Sequence, residues 1–253
     1  MTTRELYRIL NEKFPTSLSC DWDNDGLMCC PDGNRQVRRV LLTLDVTAEA
    51  VEKAIETKCD LILSHHPLIF KGIKSLDGAT PISAKAIELI QNGIAVMSFH
   101  TRLDAAEGGV NDVLAALLGL SDITPFGEEA IGRLGSLPEE MTAENFARKV
   151  KEVLHAPFVQ LADAGISVRR VAVLGGSGSD DVEAAKAAGA DTYVSGELKY
   201  HQLTDAPEEG INLITAGHFH TEFPVCEILK KLLAEIDPSI ETEIYENYKI
   251  QTI

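Results

Sequence analysis

Three apolar segments, "RVLLTLDV" (39–46), "DLILSHH" (60–66) and "IAVMSFH" (94–100), constrain the fold more than any other feature of the chain. Each has the length of a buried strand and is too short for a core helix. Between them lie stretches with helical spacing and helical end signals. "TAEAVEKAIETKC" carries Thr47 where an N-cap belongs and Glu49 in its first turn. "PISAKAIELIQNG" has Pro81 near its start and Gly93 at its end. Strand and helix alternating at this spacing imply an α/β fold, a mainly parallel sheet wrapped by helices.

The rhythm breaks at "SDITPFGEEAIGRLGSL", rich in Gly, Pro and polar residues, and this places a domain boundary near residue 125. It then resumes with a helix ("TAENFARKVKEVLH"), a strand ("RRVAVLGG"), a helix ("DDVEAAKAAG") and a strand ("DTYVSGE"). The end of the chain reads as a strand ("INLITAG"), a helix ("TEFPVCEILKKLLAEI") and a short strand ("ETEIYE"). At 253 residues the chain is long enough for two α/β domains, each with its own core.

Composition narrows the function. With 45% hydrophobic and 25% charged residues, the chain reads as globular. No apolar run reaches the ~18–20 residues of a membrane span. "MTTRELYRILNEKF" has helical spacing instead of the apolar core of a signal peptide, so a cytoplasmic location and no membrane partner are expected. A formal net charge of −16 argues against nucleic acid as a partner, because neutralising phosphates needs clustered Lys and Arg. The five cysteines lack zinc-finger spacing and suit reduced, structural roles.

In open α/β sheets, ligands gather at the carboxyl ends of strands. Three of these strands end in metal-capable side chains. "LILS" runs into His65 and His66, and "IAVMSF" runs into His100 with Asp104 four residues on. "INLITAG" runs into His218, with Glu222 four residues later and on the same face if that turn is helical. Adjacent residues of an extended chain point to opposite sides, so His65 and His66 are expected to diverge, each towards a different ion. Imidazole with carboxylate suits Zn, Fe, Mn, Co or Ni, whereas Ca and Mg prefer all-oxygen shells. Five ligands exceed the three plus water of a catalytic mononuclear zinc site, and two ions sharing a carboxylate use them better.

Other stretches read more plainly. "VLGGSGSDD" lacks the third glycine of a dinucleotide fingerprint and the Lys of a P-loop, and reads as a tight turn with an Asp N-cap. "VSGELKYH" ends a strand with Glu197 and His201 four apart, as acid/base groups lining the same cleft or as turn residues. "DWDNDGL" (21–27) is a polar loop with the chain's single Trp, which packs structurally or rims the site, with packing the preferred reading.

With these motifs assembled, the chain resembles the Nif-three-like dinuclear-metal-centre family, which includes type 2 homologues of GTP cyclohydrolase I. The resemblance runs nearly end to end, through "WDNDGL", "LSHHPLIF", "HTRLDAAEGGVND", "VLGGSGSD", "DTYVSGELKYH" and "AGHFHTE" in that order. It implies that His65, His66, Asp104, His218 and Glu222 ligate two divalent ions, with Glu222 bridging. It also implies two α/β domains, one built from both chain ends (1–125 plus 211–253) and one inserted between them (126–210). Family members commonly assemble as hexameric rings, so a homohexamer is expected. Arg102 and the "MCC" ending depart from the usual family pattern, which leaves substrate contacts near Arg102 open.

Two divalent ions outweigh the charges of Asp104 and Glu222. The residual positive charge acidifies a bound water and draws in an anionic small molecule or nucleotide. The expectation is a metal-dependent hydrolase of a C–N bond or phosphoester, with Glu197, His201 and His100 handling protons. The alternative from another class is a non-catalytic metal-binding scaffold or metal-delivery protein acting through protein partners.

Overall fold

Val40, Leu61 and Ala95 stand abreast in three parallel strands, and so do Thr43, Ser64 and Ser98 at the strands' carboxyl ends. This register decides where the chemistry of the chain emerges. The structure is a computed structural model that describes residues 1–251 and 253. In chain order it begins with α1 (Thr3–Lys13), β1 (Gly26–Cys29), β2 (Arg39–Thr43), α2 (Ala48–Glu56), β3 (Leu61–Ser64), α3 (Pro81–Asn92), β4 (Ala95–Ser98) and α4 (Thr101–Ala105). Next come α5 (Val110–Leu117), β5 (Ser121–Phe126), β6 (Gly132–Met141), α6 (Ala143–Val153), β7 (Gln160–Ala162) and β8 (Val168–Ser177). The chain continues through α7 (Val182–Ala187), β9 (Thr192–Glu197), α8 (Tyr200–Glu209) and β10 (Asn212–Thr215). It closes with α9 (His218–Glu222), α10 (Val225–Ile236) and β11 (Glu241–Ile244).

The chain divides into two units, Met1–Leu103 with Cys226–Ile250, and Asp104–Val225 between them in sequence. The first unit holds a five-stranded sheet in the order β1-β4-β3-β2-β11, antiparallel only at β1. The residues of β3 and β4 are all buried, as expected of parallel strands covered on both faces. Thr47 caps α2 by accepting from the Ala50 amide, and Gly93 ends α3 in the left-handed region at φ 67°. Both signals act as the sequence proposes.

The second unit holds a six-stranded mixed sheet, β5-β6-β8-β9-β10-β7, with β8, β9 and β10 parallel. Successive residues of its central strands serve two different cores. Val171, Val173, Val194 and Ile214 pack with Leu114, Phe146 and Val150 of α5 and α6. Their neighbours Ala172, Leu174, Tyr193 and Leu213 pack with Val182, Ala185 and Ala206 of α7 and α8. The two-residue alternation of a strand thus builds a three-layer unit.

Two expectations need correction. The stretch read as a break in the rhythm at a domain boundary is a hairpin, β5 with β6, whose glycines sit where Cβ atoms would meet Phe126 and Leu120. Gly and Pro masked the strand pattern there. The unit boundaries fall at 103/104 and 225/226, not near 125 and 210, because β5 and β10 hydrogen-bond into the second sheet. Among the described residues, no helix is long and apolar enough to cross a membrane. All five cysteines are thiols. Burial, with Cys30 beside it, pushes the Cys29 thiol up to about 11, which keeps it protonated.

Candidate metal centre

The in-register ends of β2, β3 and β4 release Asp45, His66 and His100 from the same edge of the first sheet. Three imidazoles gather there. The ring centroids of His65 and His66 are 4.9 Å apart, and those of His100 lie 5.3 and 5.6 Å from them. Each ring offers a nitrogen within 4.8 Å of the other two. The rings of His65 and His66 lie side by side, not on opposite faces of the chain. Regular pairing of β3 stops at Ser64, and beyond it the chain bends, so the alternation of an extended strand no longer applies. Their amides still reach back to the carbonyls of Thr43 and Leu44, at 3.3 and 2.9 Å.

Each imidazole is held through Nδ1. That of His65 donates to the Phe99 carbonyl (2.9 Å), that of His66 to Asp45 Oδ1 (2.8 Å), and that of His100 to Asp23 Oδ1 (2.9 Å). A carbonyl or carboxylate can only accept, so Nδ1 carries a proton, and the neutral form of each ring has its lone pair at Nε2. Metal-ligating histidines characteristically donate their other ring N–H in this way. Asp23 also accepts from the Thr101 amide (3.1 Å) and hydroxyl (2.7 Å). Burial opposes ionisation of Asp23, but the hydrogen bonds from His100 and Thr101 outweigh it and hold the carboxyl well below the usual carboxylate range.

The second unit repeats the principle at the ends of β8, β9 and β10. Gly175–Gly176, Gly196–Glu197 and Gly217–His218 emerge side by side there. His218 and Glu222 share one face of α9, with His218 Nε2 3.1 Å from Glu222 Oε2. Glu197 Oε1 lies 3.5 Å from His218 Nδ1, so this imidazole has a carboxylate at each nitrogen. The Asn111 side chain, fully buried, donates to the Asp104 carbonyl (3.3 Å) and accepts from the Gly175 amide (2.7 Å), tying α4 to the end of β8.

The glycines of "VLGGSGSD" do more than turn the chain. A Cβ on Gly176, whose φ is +66°, would stand 2.1 Å from Glu222 Oε1 and 3.0 Å from His218 Nε2. A Cβ on Gly196 would stand 2.8 Å from the His218 Cα and 2.9 Å from Thr221 Oγ1. Only glycine lets these strand ends approach α9 so closely. Asp181 precedes α7 but makes no side-chain cap, contrary to expectation.

Each expected site residue therefore has a place. His65, His66 and His100 stand together in the first unit; Asp104 lies in α4 at the start of the second, where His218, Glu222 and Glu197 stand together. His201 is exposed on α8, lining a cavity of about 300 Å³ with Ser179, Asp180 and Glu183. Arg102 is only 1% exposed and bound to Asp25, so its departure from the family pattern serves the core. Sequence reasoning passed over Asp23, Asp45 and Asn111, which orient their neighbours. Asp45 carried a usable signal, its place just past the end of β2.

The donor chemistry fits a divalent ion. Imidazoles anchored at Nδ1, and a His–Glu pair cradled by glycine, are what borderline metals take. The clusters of His, Glu and Asp residues thus define a class, α/β proteins with strand-end sites able to hold metal ions. The chain belongs to the Duf34/NIF3 (NGG1p interacting factor 3) family, whose pattern matches residues 1–250. It is 34% identical to a GTP cyclohydrolase 1 type 2 homolog of Clostridium perfringens over 249 residues, covering 95% of both chains. It is 32% identical to NGG1-interacting factor 3 of Saccharomyces cerevisiae, over 86% of this chain and 85% of that one. Among solved structures, a Staphylococcus aureus hypothetical protein superposes with a TM-score of 0.90 at 31% identity, over 100% of this chain and 99% of that one. Reduced HcgD from Methanocaldococcus jannaschii gives 0.86 at 26% identity, over 98% of both.

Proposed function

We propose that the protein is a metal-dependent hydrolase in which His65, His66, Asp104, His218 and Glu222 hold two divalent ions. The observation that carries this reading is the anchoring of His65, His66 and His100 at Nδ1, which in the neutral rings turns three neighbouring Nε2 atoms to ligation. Bound divalent ions supply Lewis acidity and a water acidified towards neutrality. The chain supplies the rest. Phe99, Asp45 and Asp23 fix ring orientation and tautomer. Glu197, more than half exposed and 3.5 Å from His218 Nδ1, is placed to accept and return a proton there. His100 stands beside His65 and His66, anchored by Asp23, and His201 is accessible from solvent on α8. The relatives bearing a cyclohydrolase name favour a C–N bond in a nucleotide ring as the target, with a phosphoester as the other candidate. Assembly into a hexameric ring belongs to the same reading; sedimentation should then give about six times the 27.5 kDa chain mass.

Metal content per chain is the decisive test, by elemental mass spectrometry on protein purified without chelators or a polyhistidine tag. The wild type should retain about two ions per chain, and Glu222→Ala one or fewer, because a bridging carboxylate serves both ions. No bound metal after anaerobic reconstitution would end the hydrolase reading. Metal-dependent turnover of a nucleotide, lost in Glu222→Ala with the fold retained, separates a hydrolase from a metal-delivery scaffold.

A further inference from the structure

We propose that Trp22 and Phe70 form a stacking platform that receives the planar heteroaromatic ring of a small-molecule ligand beside His100. The inference rests on the metal-site reading above for its setting, and it adds the chemical class of the ligand. Trp22 is 59% exposed and Phe70 41%, and their ring centroids are 6.1 Å apart in an edge-to-face arrangement. Both rings also meet His100 edge-on, at 6.2 and 6.1 Å. Two large aromatic rings therefore flank one imidazole of the cluster, with much of their surface turned to solvent.

Their exposure is held in place by the residues around them. Trp22 precedes Asp23, whose side chain is fully buried on His100 and Thr101. Two residues further, Asp25 is buried on the Arg102 guanidinium and also accepts from the His100 amide (3.0 Å). The Asn24 side chain donates to the carbonyl of Ile69, next to Phe70, and so joins the two loops that carry the rings. A loop pinned on both sides of its Trp and tied to the neighbouring Phe presents a preorganised surface, which reduces the entropy lost on binding. Two rings cannot supply the roughly 800 Å² per partner of a stable protein interface. They do match the face of a single planar heterocycle, and stacking tolerates any base because each has a π-face.

The chain contains one tryptophan, so its fluorescence reports this site alone. The emission should be followed while guanosine is added, with excitation at the red edge where nucleosides absorb little. Ribose serves as the control without a ring. Both chelator-treated and zinc-loaded protein should be titrated, at two protein concentrations. Guanosine is expected to quench saturably and ribose not at all, and Phe70→Leu should weaken the apparent affinity about tenfold. Trp22→Leu should keep the zinc content of the wild type. Absence of saturable quenching by guanosine, or equal affinity in Phe70→Leu, would overturn the platform. So would emission that is already that of a buried indole and shifts to the red on dilution, since a second copy would then cover the rings. Quenching by guanosine in a protein that takes up neither zinc nor, on anaerobic reconstitution, iron, manganese, cobalt or nickel would sustain the platform and sink the metal reading; metal uptake without quenching would do the reverse.

Discussion

Asp25→Ala is expected to destabilise the protein by about 3–5 kcal/mol, because it strands a buried guanidinium. Arg102 is 1% exposed and Asp25 3%. Arg102 Nε donates to both carboxylate oxygens, at 3.0 and 2.9 Å, and its second terminal nitrogen donates to Oδ1 at 2.6 Å. The remaining terminal nitrogen is taken by Asn11 Oδ1 (2.8 Å) and the Phe14 carbonyl (3.0 Å), while the Phe99 ring lies 5.0 Å beneath the guanidinium carbon. This network ties α1, the 19–25 loop and α4 together. Removing the carboxylate leaves a charge with two neutral acceptors and no counter-ion. Thermal unfolding should fall by on the order of 10 °C. Replacing both partners, as in Asp25→Leu with Arg102→Met, should recover part of the loss, since a buried pair exchanged for apolar groups is often tolerated. A loss below about 1 kcal/mol in Asp25→Ala would mean that water reaches the guanidinium, contrary to the packing described.

Gly176→Ala is expected to lose half or more of the bound metal with a modest loss of stability. The left-handed backbone at this position costs a residue bearing Cβ roughly 1–2 kcal/mol. The new methyl would also stand 2.1 Å from Glu222 Oε1, and the carboxylate must swing away from His218 to admit it. Gly165→Ala separates the two effects. Its φ of +72° imposes the same strain, but nothing lies within 4 Å of the added carbon. Both variants should lose similar stability by denaturant titration. Only Gly176→Ala should lose half or more of the bound metal by elemental analysis. Equal metal content in the two would show that the close approach of Gly176 to Glu222 is dispensable.

Much of the site was legible because residue type and strand ends coincide in sequence. "LILSHH" and "IAVMSFH" each place histidine where a buried run stops, and His218 with Glu222 has helical spacing. What was misread has physical causes. The hairpin at 121–141 reads as a domain boundary because its glycines, which pack closely on Phe126 and Leu120, imitate loop composition. The side-by-side rings of His65 and His66 were not legible because the end of regular pairing at Ser64 leaves no mark in the sequence. Of the two readings of Trp22, packing or rimming the site, packing was preferred, yet the two aspartates around it are the buried residues and the ring is exposed.

The sequence by itself determined the α/β class, the caps of α2 and α3, and the residue types able to hold a divalent ion. Those properties depend on local spacing and side-chain chemistry, which a chain carries whether folded or not. Only the tertiary structure decided that Asp23 holds His100, that Asp45 holds His66, and that Gly176 makes room for Glu222. These pairs are separated by 77, 21 and 46 positions in the chain. They meet because paired strands in register, parallel in the sheet centres and antiparallel at β1, bring distant segments together at the strand ends, and no local pattern encodes that meeting.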